Sequence, residues 1–324
     1  MKVLSLFDGM SCGMIALERA GIKVQQYYAS EIDKYSKLVS AKNYPGIIQI
    51  GDVTKVSFKD GVLCTENGNF NTGEIDLVIG GSPCQSFSNL GDGSGFEGKS
   101  GLFFHWLRIL NEVNPKFFLL ENVKMKKEWK LQLDAYVGVE GKEINSNLVS
   151  AQNRSRYYWS NLEFEQPNDL GILLSDVVSS SVPKKYFLSD KAKAYILDTD
   201  RLKKKFTVLN GNKSTCLPAR YTALNGTFLC VDCNGKLDNT KAGTLTARYH
   251  KGVAGFGGDP FILDIETASI RKFTPEECEL LQTVPIGYTS GVADGHRYKM
   301  LGNGWTVDVI AHIFKSLPDK YKIN

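Results

Sequence analysis

Short apolar runs, each followed by a segment whose apolar positions repeat with helical spacing, occupy the first half of the chain. Residues 2–7 (KVLSLF) form the first run and predict a strand. The glycine-bearing turn DGMSCG follows, and residues 14–20 predict a helix that stops at Gly21. The alternation repeats with a strand at 24–30, a helix at 34–43 ahead of Pro45, and a strand at 47–50. Residues 76–79 and 117–121 read as further buried strands, with a helix at 102–113 between them. Such alternation predicts an α/β fold, a mostly parallel, doubly wound sheet with helices on its faces. Ligands in these sheets bind outside the carboxyl ends of the strands. Asp8, Glu31, Asp52, Cys84 and Glu121 all fall at or just beyond those predicted ends, so the chemistry is expected along one edge.

From about residue 163 to 285 the alternation fades, and short segments broken by Gly, Asn and Ser take over. This change predicts a second, smaller and more irregular domain at 163–292, set into a larger domain made of 1–162 and 293–324. One internal echo lies there: KSTCLPARY at 213–221 and KAGTLTARY at 241–249 share Lys, Leu, Ala, Arg and Tyr in register. Two similar strand–turn units, each presenting an arginine and a tyrosine, are expected. The basic run Arg201, Lys203, Lys204 and Lys205 ends a predicted helix and reads as a solvated face. Residues 307–314 form an amphipathic helix that is expected to pack back onto the larger domain.

Composition narrows the class. With 42% hydrophobic and 23% charged residues the chain is an ordinary globular protein. No apolar run approaches the ~20 residues of a membrane span, and the N-terminal one breaks at Asp8, too soon for a signal peptide. A cytoplasmic protein is expected. Seven scattered cysteines, an odd number in a chain this large, argue for reduced thiols. Cys230 and Cys233 have metal-ligand spacing but lack a second pair or a nearby histidine, so no metal site is expected. A net charge of +4 permits nucleic-acid binding without arguing for it.

The candidate chemistry sits on two turns. In Phe7-Asp8-Gly9-Met10-Ser11-Cys12-Gly13 the glycines allow backbone to approach a ligand at a helix start. Asp8 is unfavourable beside a pyrophosphate and favourable beside a cationic centre. Glu31 is placed for ribose hydroxyls, and Asp52 for an adenine amino group. Adenine, ribose and a cationic tail describe S-adenosylmethionine better than NAD. The second turn is GGSPCQSFS, where Cys84 follows Ser82-Pro83 directly beyond an apolar strand. Glu121 ends another apolar strand, FFLLENV, where desolvation would favour a proton-donating carboxyl. Arg154 and Arg156 stand two apart and would share one face of a strand. A thiol, a carboxyl and paired arginines suit attack on an electron-poor ring bearing a carbonyl.

Taken in order, SLFDGMSCG, SEID, IGDV, GGSPCQSFS, ENV, QNRSR and KMLGNGWTVDVI resemble the motif set of the DNA cytosine-5 methyltransferases. The resemblance runs from end to end apart from the variable region, and it is of the bacterial or phage type. GFEGKSGLFF and GNGWTV are similar to the animal de novo branch. It implies a Rossmann-like, S-adenosylmethionine-dependent methyltransferase domain with a smaller target-recognition domain, acting on double-stranded DNA. By the same resemblance Cys84 is the nucleophile toward C6 of a flipped cytosine, Glu121 acts at N3, Arg156 holds O2 and Arg154 supports the glutamate and backbone. The cofactor contacts carried over are Phe7, Asp8, Gly9, Met10, Gly13, Glu31, Ile32, Asp52, Val53, Pro83, Asn303 and Trp305. At Gly304-Trp305 the sequence departs from the commoner bacterial form, a small polar residue followed by valine.

DNA contacts are expected from Gln85, Ser86 and Ser88, and from Arg220, Tyr221, Arg248 and Tyr249 around the Thr244-Leu245 pair. The glycine-rich stretch 89–101 is expected to close over the flipped base. A companion restriction endonuclease and a monomeric state complete the expectation. A tRNA cytosine-5 methyltransferase and a catalytically inactive DNA-binding homologue are the alternatives. The first usually carries a second proline before its cysteine, where this chain has Ser82, and the second loses the cysteine or glutamate that are present here. An NAD-dependent oxidoreductase is disfavoured by Asp8 and the missing glycine fingerprint.

Overall fold

A computed structural model of the chain describes residues 1–83, 101–179, 181–190, 228–231, 242, 260–264 and 269–323. Two compact units emerge. The first comprises Met1–Asn145, Ser155–Pro167 and Trp305–Asn324, and the second Ser146–Arg154 and Asn168–Gly304.

Seven strands form the sheet of the first unit: β1 (Lys2–Leu6), β2 (Gln26–Ser30), β3 (Ile48–Gln49), β7 (Leu77–Gly80), β8 (Phe117–Val123), β9 (Lys142–Asn145) and β10 (Ser155–Ser160). Their order is β3-β2-β1-β7-β8-β10-β9. The ladders β1–β2, β2–β3, β1–β7 and β7–β8 are parallel, whereas β10 runs antiparallel to both of its neighbours. This is the mostly parallel sheet that the alternation predicts, and it is Rossmann-like, as the family resemblance implies. Helices α1 (Cys12–Arg19), α2 (Lys34–Asn43), α3 (Gly101–Val113) and α4 (Lys127–Val137) connect the strands. Asp33 caps α2 by accepting from the amides of Tyr35 and Ser36.

The apolar runs are strands because both sheet faces are covered. Leu4, Leu6, Val78 and Leu120 are fully buried in one cluster with Phe103, Trp106 and Ile109 of α3. Helix α7 (Val307–Phe314) belongs to this unit, as its amphipathic pattern predicts, and its Asp308 pairs with Arg19 of α1 at 2.7 Å.

Two features depart from the sequence expectations. Strand β8 continues past Glu121 to Val123, because β10 pairs along it as far as Arg156 opposite Val123. Glu121 therefore lies inside a strand, opposite Tyr158. An antiparallel meander of β4 (Ser57–Lys59), β5 (Val62–Thr65) and β6 (Gly68–Asn71) also interrupts the alternation before β7. Its first turn, Asp60-Gly61, has positive φ at both residues (51° and 78°), and an Asp-Gly pair between short apolar runs is the signal for it.

The second unit holds a three-stranded sheet of β11 (Phe228–Val231), β12 (Pro260–Asp264) and β13 (Ser269–Lys272), and helices α5 (Pro275–Leu281) and α6 (Asp294–Asn303). Thr274 and Glu277 form a reciprocal cap on α5, and Arg271 grips the buried Glu277 carboxylate with both terminal nitrogens at 2.9 and 2.8 Å. No helix among the described residues is long and apolar enough to cross a membrane.

Close packing at the end of β7 is testable. A Cβ on Gly80 would fall 2.8 Å from the Leu6 carbonyl oxygen and 2.8 Å from the Trp106 ring, and backbone cannot give way. Gly80→Ala should destabilise the fold by about 1–3 kcal/mol in urea denaturation. Gly46→Ala, where nothing lies within 4 Å, should be close to neutral. Equal stability of the two variants would refute this account of the β7 end.

Candidate active site

The turn after β1 is built from unusual backbone. Phe7, Gly9 and Ser11 all have positive φ (59°, 61° and 65°), a conformation that only glycine adopts freely. The turn is held from outside. Asp8 N–H donates to the Ser30 carbonyl at 3.0 Å, and Gly9 N–H donates to Glu31 Oε2 at 2.8 Å. Glu31 Oε1 accepts from the amides of Ile32 and Asp33 at 2.8 and 2.7 Å. One carboxylate thus ties the turn after β1 to the turn after β2, and keeps part of its acceptor capacity. Beside it Ile32 is 71% exposed, an apolar side chain left open at a strand end.

Asp52 follows β3. Its Oδ1 accepts from Thr54 N–H at 2.9 Å, and its own N–H donates to Glu66 Oε1 at 2.8 Å. Glu66 comes from the tip of the β5–β6 hairpin and fills the space that a Cβ on Gly51 would need. Sequence reasoning missed Glu66, because only the meander brings it to this edge. Met10 and Val53 turn their side chains inward, at 1% and 4% exposure. Gly13 is demanded by packing, since a Cβ there would meet Ile79 at 2.5 Å and the Tyr27 hydroxyl at 2.8 Å.

Asp8 faces inward too. The carboxylate that the sequence offers to a cationic ligand is buried, accepting from Tyr27 Oη at 2.7 Å and Ser11 Oγ at 2.5 Å. Ser11 spends its proton on Asp8, so Ser40 donates to Ser11 (2.7 Å), and Gln49 Nε2 donates to Ser40 in turn (3.3 Å). Burial pushes the Asp8 carboxyl up from its ordinary 3.8 to about 6, against hydrogen bonds from Ser11, Ser5 and Tyr27 that lower it.

At the next strand ends the groups are of another kind. Strand β7 runs into Ser82 and Pro83, and the buried Asn122 donates from Nδ2 to Ser82 Oγ at 3.1 Å and to the Ser82 carbonyl at 3.4 Å. Asn122 therefore fixes the backbone two residues ahead of Cys84. Nothing in the local sequence marks Asn122 for that role. Glu121, 9% exposed, has Arg156 Nε at 3.1 Å from Oε1 and accepts from Trp305 Nε1 at 3.2 Å on Oε2. The arginine contact is an ion pair by distance, but the Nε–H is not aligned on the oxygen and has no hydrogen-bond partner. Arg156 Nη1 donates to the Ser155 carbonyl at 2.8 Å.

Arg154 does not share a strand face with Arg156, because β10 begins only at Ser155. It lies in the second unit, buried, with Nη2 donating to the carbonyls of Gly302 and Gly304 at 3.1 and 3.0 Å. Asn303 is exposed at the end of α6 in that unit. Cys84, Gln85, Ser86, Ser88, Arg220, Tyr221, Arg248 and Tyr249 lie outside the described residues, as do Cys233, the Thr244-Leu245 pair and most of the 89–101 stretch.

The buried Asp8 yields a pH signature. Its raised value means that the folded state holds more protons than the unfolded chain between about pH 3.8 and 6. The ionisation penalty is absent below that window and complete above it. Asp8→Asn has no such titration, so its stability relative to the wild type should rise between pH 4.5 and 7, by about 2 kcal/mol. Thermal melts of both proteins across this range test it; an offset independent of pH would remove the assignment.

A family model described as C-5 cytosine-specific DNA methylase matches residues 1–132 and 145–319. The Type II methyltransferase M1.ScrFI of Lactococcus lactis subsp. cremoris is 29% identical over 340 residues, covering 98% of this chain and 77% of that protein. M.NlaX of Neisseria lactamica is 28% identical, covering 98% of this chain and 96% of its own. Among solved structures, the Entamoeba histolytica methyltransferase EhMeth aligns with a TM-score of 0.70 at 18% identity, over 100% of this chain and 99% of that one. At such identity the structural likeness speaks for the fold alone. The family match spans most of both compact units, and on it the chain belongs to the C-5 cytosine-specific DNA methylases.

Proposed function

We propose that this enzyme methylates C5 of a cytosine flipped out of a short duplex DNA site, using S-adenosylmethionine and a transient bond between Cys84 and C6. The observation that carries the reading is the Glu121 cluster: a buried carboxylate with Arg156 and Trp305 on its two oxygens, on the strand next to the one that leads into Cys84. Such a group can hydrogen-bond or protonate a ring nitrogen, and the guanidinium beside it can hold a ring carbonyl.

The thiolate of Cys84 adds to C6, while Glu121 serves N3 and Arg156 holds O2. Addition moves electron density to C5, which an isolated cytosine does not offer to an electrophile. Removal of the C5 proton and elimination of Cys84 then restore the ring double bond and the free thiol. C6 is unreachable inside a stacked duplex, so the base must leave the helix, at about a few kcal/mol.

S-adenosylmethionine, once bound, supplies the electrophilic methyl group. The strand-end residues fit it. Exposed Ile32 offers an apolar surface to a planar base, Glu31 keeps acceptor capacity for ribose hydroxyls, and the half-buried Asp52 carboxylate can accept from an amino group. Phe7 and Gly9 bring the turn's backbone to the same edge. Arg220, Tyr221, Arg248 and Tyr249 remain the candidates for reading the DNA. The likeness to Type II methyltransferases supports a companion endonuclease with the same site.

Bisulfite sequencing of a plasmid from cells expressing the protein tests the reading. Protected cytosines in one recurring short context are expected, and Cys84→Ser should lose nearly all protection while still binding DNA. Full conversion with the wild-type protein, or wild-type protection by Cys84→Ser, would overturn it.

A further inference from the structure

We propose that Trp305 is a positioning residue for Glu121, setting the orientation of the carboxylate as well as walling the cofactor pocket. This rests on the reading that Glu121 acts on the target base. Among the described residues, the indole N–H supplies the only hydrogen bond to that carboxylate, at 3.2 Å on Oε2. Arg156 brings charge to the other oxygen, but its Nε–H is not aligned on it. Charge without alignment pulls the carboxylate without fixing its plane. An aligned donor on one oxygen restrains the carboxylate's orientation, and the indole is donor only, so it has no second hydrogen-bonding role to compete.

The surroundings are shaped to admit the ring. A Cβ on Gly81 would fall 2.9 Å from Trp305 Nε1 and 3.1 Å from Glu121 Oε2, directly against both partners. On the other side, a Cβ on Gly13 would fall 3.5 Å from Trp305 Cζ3. Gly13 lies in the first turn of α1, just after the strained turn, so the ring reaches from the cofactor turn to the Glu121 carboxylate. A wall residue would need the ring alone. The N–H directed at Oε2, in a gap kept open by a bare glycine, is what a positioning role requires.

The test separates the ring from its N–H. Trp305→Phe keeps the aromatic wall and removes the donor. Its kcat should fall roughly tenfold, the loss expected for a hydrogen bond to a charged group, with KM for S-adenosylmethionine within about twofold of wild type. Single-turnover rates should be non-additive with Glu121→Ala: in that background Trp305→Phe should change the rate less than about twofold, because nothing is left to position. An unchanged kcat, a raised KM alone, or full additivity would overturn the proposal. If Trp305→Phe melts well below wild type, Gly81→Ala carries the same test, with the same kcat loss expected and an unchanged kcat overturning it. Normal turnover by Glu121→Ala itself would instead remove Glu121 from the mechanism.

Discussion

Parallel strand pairing is the constraint on which the molecule depends. Strands β1, β2, β7 and β8 run side by side in one direction, so their carboxyl ends meet along one edge, where ladder bonding stops and backbone groups need other partners. Side chains answer that demand. Glu31 takes three amides across two turns, Glu66 takes the Asp52 amide, and Asn122 donates to the Ser82 carbonyl. The groups that satisfy the edge are also those that shape the candidate site, so its geometry follows from the sheet's hydrogen-bond accounting.

Missing side-chain atoms matter as much as those present. Gly80 lets Trp106 close against the end of β7, Gly81 leaves the gap between Trp305 and Glu121, and Gly51 admits the Glu66 side chain. Each of these glycines stands at the end of a strand or in the turn after it, where backbone, aromatic ring and carboxylate converge. Close approach, more than turn flexibility, explains the glycines at 80 and 81, because neither has positive φ.

Asp8 shows how local chemistry and burial can diverge. Its position in a glycine-rich turn suggests an outward carboxylate beside a ligand. The fold instead surrounds it with Tyr27, Ser11 and, through Ser11, Ser40 and Gln49. Ser11 belongs to the turn itself, but Tyr27, Ser40 and Gln49 come from β2, α2 and β3, the three elements that follow α1. No local reading of seven residues contains that information.

Period and punctuation in the sequence determined the parallel sheet, its helices and the family, because burial of both faces and the turns between elements are written locally in residue type. The tertiary structure decided which atoms meet. That β8 runs on to Val123 depends on pairing with β10, and that Trp305 reaches Glu121 depends on bringing together residues 184 apart. The Asp-Gly turn of the meander was legible, but the arrival of Glu66 at Asp52 was not. Contacts of this kind are set by the packing of whole elements, and packing distances are properties of the folded chain that spacing along the sequence does not encode.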